Sequence, residues 1–228
     1  MPTPSLQICL LGGSAEYPSR ILACLNFLAQ AIQAAGEVAH VWDLAQQPLP
    51  ILDPRASLDP AAPGNDRLKR LTVLADQADA FVWGSPIYHN SFSGVLKNGL
   101  DSLSIQQFRH KPVALLSCGN NERTGVQPCD HLQIVARGLH AIVIPTQLVT
   151  LTTDFARGQD GYVLINEAAK TRSTRLAEEL LHYAQALRLM RAGTTGVTGN
   201  AGSLSPVEKA VYLQTKEEKH GNIPLYQY

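Results

Sequence analysis

The stretch WGSPIYHNSFSGVLKNGLDSL, Trp83 to Leu103, decides the fold. It follows and overlaps Asp79-Ala80-Phe81-Val82-Trp83-Gly84, a short apolar run of the kind that fills a strand buried on both faces. Further on, Val95, Leu96, Leu100 and Leu103 fall on one helical face, and Ser93 is placed to cap that helix. The stretch therefore reads strand, turn, helix. A proline after a strand removes a backbone donor and fixes φ, so Pro86 to His89 is expected to leave the sheet as a stiff, exposed shelf. Open α/β sheets bind their ligands at such carboxyl ends of strands.

Outward from this stretch the same alternation repeats. Leu6 to Leu11 is an apolar strand, and Gly12-Gly13-Ser14-Ala15-Glu16-Tyr17-Pro18-Ser19-Arg20 follows it as a loop. A helix with Ile21, Leu25, Leu28 and Ile32 on one face comes next, stopped by Gly36, and Val38 to Leu44 is the next strand. Residues 45 to 65 are rich in proline and show no period, which predicts a loop crossing the surface near the site. Asp66 is expected to cap a helix carrying Leu68, Leu71, Leu74 and Ala75.

Beyond the central stretch, Val113 to Gly119 reads as a strand ending in small residues. A helix from about Val126 to His140 and a strand over Ala141 to Pro145 follow. A loop is expected around Asp154 to Gly161, and then a long helix from about Leu164 to Arg191. Five strands alternating with helices predict an α/β fold with a doubly wound parallel sheet. The composition turns to Gly, Thr, Ser and Asn at Ala192. This predicts a domain over 1–191 and, over 192–228, a flexible linker with a short capped helix at 206–219.

A chain of 228 residues is long enough for one well-buried domain and short for two. Its formal net charge is zero and its basic residues are scattered, so neither nucleic acid nor an anionic membrane is an expected partner. No stretch approaches a membrane span and the first residues lack a leader pattern, which predicts a cytoplasmic protein. Cys9, Cys24, Cys118 and Cys129 form no Cys-x-x-Cys pair, so free buried thiols are expected and no metal site.

Three loops at strand ends converge on one edge: Gly12 to Arg20, Pro86 to Ser93, and Ser117 to Arg123. The first has neither the Gly-x-Gly-x-x-Gly nor the Gly-Lys-Ser/Thr pattern of the common nucleotide loops. It does offer glycine amides, the hydroxyls of Ser14 and Ser19, and the cation of Arg20 beside a helix N-terminus. That set suits a terminal phosphate. A plain strand-to-helix turn in which Ser19 merely caps is the other reading of the same residues. No Ser-His-Asp order stands out, and no catalytic side chain is assigned.

The run Pro-Ile-Tyr-His-Asn-Ser-Phe-Ser-Gly-Val-Leu-Lys-Asn-Gly-Leu-Asp, Pro86 to Asp101, resembles the signature of the NAD(P)H-dependent FMN reductase family of flavodoxin-like flavoproteins. The resemblance continues over roughly residues 5 to 190. It implies FMN held by Ser14, Ser19 and Arg20 at its phosphate, by Pro86, Ile87, Tyr88 and His89 along ring and ribityl chain, and by Ser117, Cys118 and Gly119 from the other side. Backbone amides of the shelf are expected to meet the ring edge.

The resemblance further implies hydride transfer from NAD(P)H and onward reduction of a flavin, quinone, azo compound or metal ion. It also implies a homodimer or homotetramer and a possible flavin-dependent monooxygenase as partner. Phe92, Val95 and Gly99 are expected to leave a surface for such assembly. A flavin-binding electron carrier with little NAD(P)H turnover, or a nucleotide-binding module without flavin, is compatible with the same loops. Glu16 stands where the family often has arginine. A carboxylate about 5 Å from a phosphate charge costs about 3 kcal/mol per charge pair at an effective dielectric near 20. Either Glu16 turns away and Arg20 serves the phosphate, or FMN is held less tightly.

Overall fold

In the computed structural model, which describes residues 4–53, 65–120 and 125–197, side-chain alternation sets the layers. The first strand, β1 (Gln7–Gly12), sends Ile8 and Leu10 into one core and Cys9 and Leu11 into another. β3 (Ala80–Pro86) does the same with Ala80 and Val82 against Phe81 and Trp83. β4 (Pro112–Gly119) divides Ala114, Leu116 and Cys118 from Val113 and Leu115. A strand apolar at every position can satisfy both faces only in a sheet covered on both sides.

That sheet has five strands in the order β2-β1-β3-β4-β5, all parallel, with β2 at Val38–Asp43 and β5 at Ile142–Leu151. The order reverses between β1 and β3, and the crevice at such a switch point is where doubly wound sheets take ligands. α1 (Arg20–Ala34) lies on one face through Ile21, Leu25, Leu28 and Ile32. α6 (Glu167–Val197) covers the same face with Leu176, Leu180 and Ala184. The opposite face takes α2 (Asn65–Gln77), α3 (Gly94–Asp101), the short α4 (Ile105–Phe108) and α5 (Gln127–Gly138), through Leu71, Leu96, Leu100, Phe108 and Leu132.

Several boundaries differ from the expected ones, each for a local reason. Asp66 lies inside the first turn of α2, which begins at Asn65, so it complements the helix dipole and is not the cap. β5 does not stop at Pro145. Its register against β4 slips between Val113 and Leu115, which pair with Val143 and Gln147, and the bulge accommodates a proline that cannot donate to the ladder. β5 is an edge strand, where that loss costs least.

The segment expected as a loop after Asp154 is a hairpin: β6 (Phe155–Gly158) pairs antiparallel with β7 (Gly161–Leu164) around Gln159-Asp160. Phe155 and Leu164 anchor it in the α1 core. The last helix continues through Val197, past the change of composition at Ala192. The expected capped segment at 206–219 lies outside the described residues, as do residues 54–64 of the proline-rich loop and 121–124 of the third site loop. No helix among the described residues is long and apolar enough to cross a membrane.

Candidate functional site

The β1–α1 loop is drawn over the carboxyl edge of the sheet by a chain of bonds. The Gly13 N–H donates to the Gly84 carbonyl at 2.8 Å, and the Ser93 hydroxyl donates to the Gly13 carbonyl. Ser93 Oγ in turn accepts the Leu96 N–H at 3.0 Å as the cap of α3, while the Ser93 N–H donates to Ser85 Oγ at 2.9 Å. One buried serine thus ties the first loop and the start of α3 through its hydroxyl and the end of β3 through its N–H. Gly13 is required there, because a Cβ on it would stand 2.5 Å from Leu96 Cβ and 3.1 Å from the Gly84 carbonyl.

The signature residues of α3 act in the same structural way. Asn98 accepts the Leu52 N–H and donates to the Pro50 carbonyl, both at 2.9 Å, pinning the proline-rich loop to the helix. Gly99 is buried under Leu44 and leaves no surface as expected of it, while Phe92 and Val95 pack against the core and stay half-buried. Lys97 and Asp101 form a half-exposed pair at 2.7 Å, worth less than about 1 kcal/mol.

Between the three loops lies a cleft of about 380 Å³, within the range of small-molecule sites. Ser14, Ser19 and Arg20 line it from the first loop, Pro86, Ile87 and Tyr88 from the second, and Cys118 and Gly119 from the third. Eight of the ten expected residues therefore meet. The other two lie elsewhere. His89 and Asn90 have φ of 50° and 62°, which folds Tyr88 to Ser91 into a two-residue hairpin and carries His89 out to its exposed tip. Ser117 is fully buried and its hydroxyl donates to the Gly125 carbonyl, so it fixes the start of α5.

β4 and the hairpin engage the shelf amides. The Ile87 N–H donates to the Cys118 carbonyl at 3.2 Å, and the Tyr88 N–H to the Ser91 carbonyl at 2.9 Å. The shelf is therefore a rigid wall, and those two amides do not face the cleft as expected. Gly119 lies flush against this wall, since a Cβ there would fall 2.1 Å from Ile87 Cδ1. Glu16 and Asn120, from the first and third loops, complete the cleft together with Ile21 and Thr152, which were not singled out as site residues. Thr152 arrives because β5 continues past its proline to Leu151.

Electrostatics distinguish the two ends of the cleft. Ser19 caps α1 by accepting the Leu22 N–H at 3.0 Å, and Arg20 is the first helical residue. The amides of Arg20 and Ile21 have no partner within the helix at these positions. A cation at a helix N-terminus meets charge of its own sign, at a cost of about 0.3–1 kcal/mol. Its Nε is buried without a hydrogen-bond partner, and no carboxylate among the described residues forms an ion pair with it. The arrangement suits a bound anion.

Glu16 also lines the cleft, exposed, and its N–H donates to Ser14 Oγ at 3.1 Å. The Tyr88 phenol is held above its ordinary pKa, first by burial and then by the Glu16 charge. Burial likewise pushes the Cys118 thiol up, outweighing the Thr150 hydroxyl and the Arg20 charge that lower it. Cys118 is thus a wall of the cleft and a poor thiolate. Cys118→Ser is expected to leave FMN affinity and flavin reduction by NADPH within about twofold of the parent. Fluorescence titration and rapid mixing check this; a loss of reduction with FMN still bound would assign the thiol a chemical part.

A sequence profile described as NADPH-dependent FMN reductase matches residues 6–156. The chain belongs to this family. Among curated relatives of the reductase, the FMN-dependent NADPH-azoreductase of Staphylococcus saprophyticus is 35% identical over 176 residues, 76% of this chain and 93% of that protein. That of Staphylococcus aureus is 35% identical over 157 residues, 68% of this chain and 82% of its own.

Solved structures share the fold at lower identity. An oxidoreductase from Corynebacterium diphtheriae aligns with TM-score 0.63 at 20% identity over 80% of this chain and 98% of its own. A flavoenzyme NAD(P)H:acceptor oxidoreductase from Paracoccus denitrificans aligns with TM-score 0.64 at 16% identity over 78% and 97%. The reductase is an FMN-dependent NAD(P)H oxidoreductase with a flavodoxin-like fold.

Proposed function

We propose that the protein uses NADPH to reduce azo compounds, with quinones and free flavin as further acceptors, and that FMN lies in the cleft with its phosphate in the β1–α1 loop. The observation that carries this placement is Arg20, whose buried Nε lacks a partner at a helix N-terminus in the cleft. Ser14 and Ser19 lie beside it, both buried. FMN, when bound, supplies acceptance of hydride and its delivery to a second substrate. The chain's own residues bind and orient. Pro86, Ile87, Cys118 and Gly119 would hold FMN side by side along one wall, and Asn120 and Thr152 would offer it polar groups. No side-chain acid or base is assigned a proton in this chemistry.

The azo acceptor is chosen because the Staphylococcus relatives bear that description and are matched over most of their length. Cleaving an N=N bond to two amines takes four electrons, hence a pair of NADPH molecules, with protons from solvent. Following dye colour and NADPH absorbance together tests it. Stoichiometric, FMN-dependent loss of both is expected, whereas NADPH oxidation supported by a quinone with the dye intact would make quinones the acceptor. A homodimer or homotetramer, a cytoplasmic setting and service to a monooxygenase belong to the same proposal by family resemblance. Light scattering showing a monomer at micromolar concentration would remove the first.

A further inference from the structure

We propose that Tyr162, on the hairpin that follows β5, is a positioning residue that holds the Arg20 guanidinium for the phosphate of FMN. This rests on the phosphate placement above. The guanidinium carbon of Arg20 lies 4.3 Å from the centre of the Tyr162 ring, close enough for a cation–π contact. Tyr162 is itself fixed, packed against the α1 core two residues before Leu164, which pairs with Phe155 at the buried end of the hairpin. Its other cationic neighbour is Arg157, its cross-strand partner, exposed and 5.8 Å from the ring centre.

Arg20 is a long side chain at the start of a helix, without an ion-pair partner among the described residues. Left to itself it would sample several rotamers and swing to solvent. Stacking on a ring removes that freedom before the ligand arrives, so less is lost per bond on binding. A cation–π contact of this kind is neutral toward the sign of the helix end and leaves the N–H groups at the guanidinium edge available to phosphate oxygens. A carboxylate in its place would occupy those donors and compete with the ligand.

The test compares FMN with riboflavin, which lacks the phosphate, by fluorescence titration of the full-length protein freed of flavin. Arg20→Ala is expected to weaken FMN by about tenfold or more and leave riboflavin unchanged. Tyr162→Leu should weaken FMN by about 5- to 30-fold with riboflavin within about twofold, and Tyr162→Phe, which keeps the ring face, should match the parent. In the Arg20→Ala background Tyr162→Leu should cost nothing further.

Equal losses for both flavins in Tyr162→Leu, or an equal loss in both backgrounds, would make Tyr162 a wall of the domain and overturn the proposal. If Tyr162→Leu does not fold, Arg20→Lys decides. It keeps the charge without the planar group, so retained FMN affinity would show the stacking to be unnecessary, and a loss close to that of alanine supports it. An unaffected FMN affinity in Arg20→Ala would instead fault the phosphate placement itself, a result distinct from failure at Tyr162 alone.

Discussion

Gly13→Ala is expected to weaken FMN by about 100-fold, because overpacking of about 1–3 kcal/mol is joined by loss of hydrogen bonds worth about 1 kcal/mol each. The new methyl would collide with Leu96 Cβ at 2.5 Å, an atom fixed to the backbone of α3 that no rotamer change can move aside. The loop would have to lift away, parting the Gly13 N–H from the Gly84 carbonyl and the Gly13 carbonyl from Ser93. Ser14, Ser19 and Arg20 would then leave the position the structure gives them. Gly94→Ala is the control, since nothing lies within 4 Å of the Cβ it would gain. At the first helical position alanine should be neutral or stabilising by up to about 1 kcal/mol. Titration of both variants with FMN separates them, and similar affinities would show that the loop is not held as described.

Ser93→Ala should be the most destabilising single change in the site that leaves every cleft-lining side chain in place. Losing the cap of α3 costs about 1 kcal/mol, and leaving the Gly13 carbonyl without its donor adds about 1–3 kcal/mol. A domain of this size loses about 2–4 °C of melting temperature per kcal/mol, so a fall of about 4–16 °C is expected by calorimetry. FMN affinity should fall with it, because the hydroxyl holds the first loop and caps α3 together. A variant with an unchanged melting temperature would mean that this network is not what joins the loops.

The central strand–turn–helix unit was legible because its pattern is strong and local. Phe81 to Trp83 are apolar without interruption, Ser93 stands one residue before the helix, and Leu96 and Leu100 repeat at helical spacing. The parallel doubly wound sheet followed, since strands separated by helices have few ways to pack in parallel. What escaped notice depends on contacts or on short segments. The β6 and β7 strands have four residues each, too few to display a period, although Asp160-Gly161 at the turn is a turn signal.

Pro145 read as the end of a strand because a proline breaks a ladder. Only the neighbouring register shows the bulge that lets β5 run on to deliver Thr152. His89 was expected to line the cleft with the residues before it. Its placement depends on two successive left-handed residues, and Asn90, which adopts that conformation readily, was the available sign. Glu16 lines the cleft with Arg20, and no carboxylate among the described residues forms an ion pair with Arg20. Glu16→Arg, expected to tighten FMN if Glu16 faces the phosphate and to change nothing if it points to solvent, separates the two alternatives.

The claim on which the account rests most heavily is that the β1–α1 loop holds a phosphate, and parallel titration of the full-length parent protein with FMN and with riboflavin tests it most directly. At least two charge-assisted bonds, one from Arg20 and one from an amide at the start of α1, would contribute about 1.5–3 kcal/mol each, so FMN should bind at least about 100-fold more tightly than riboflavin. Equal affinity for the two flavins would contradict the account.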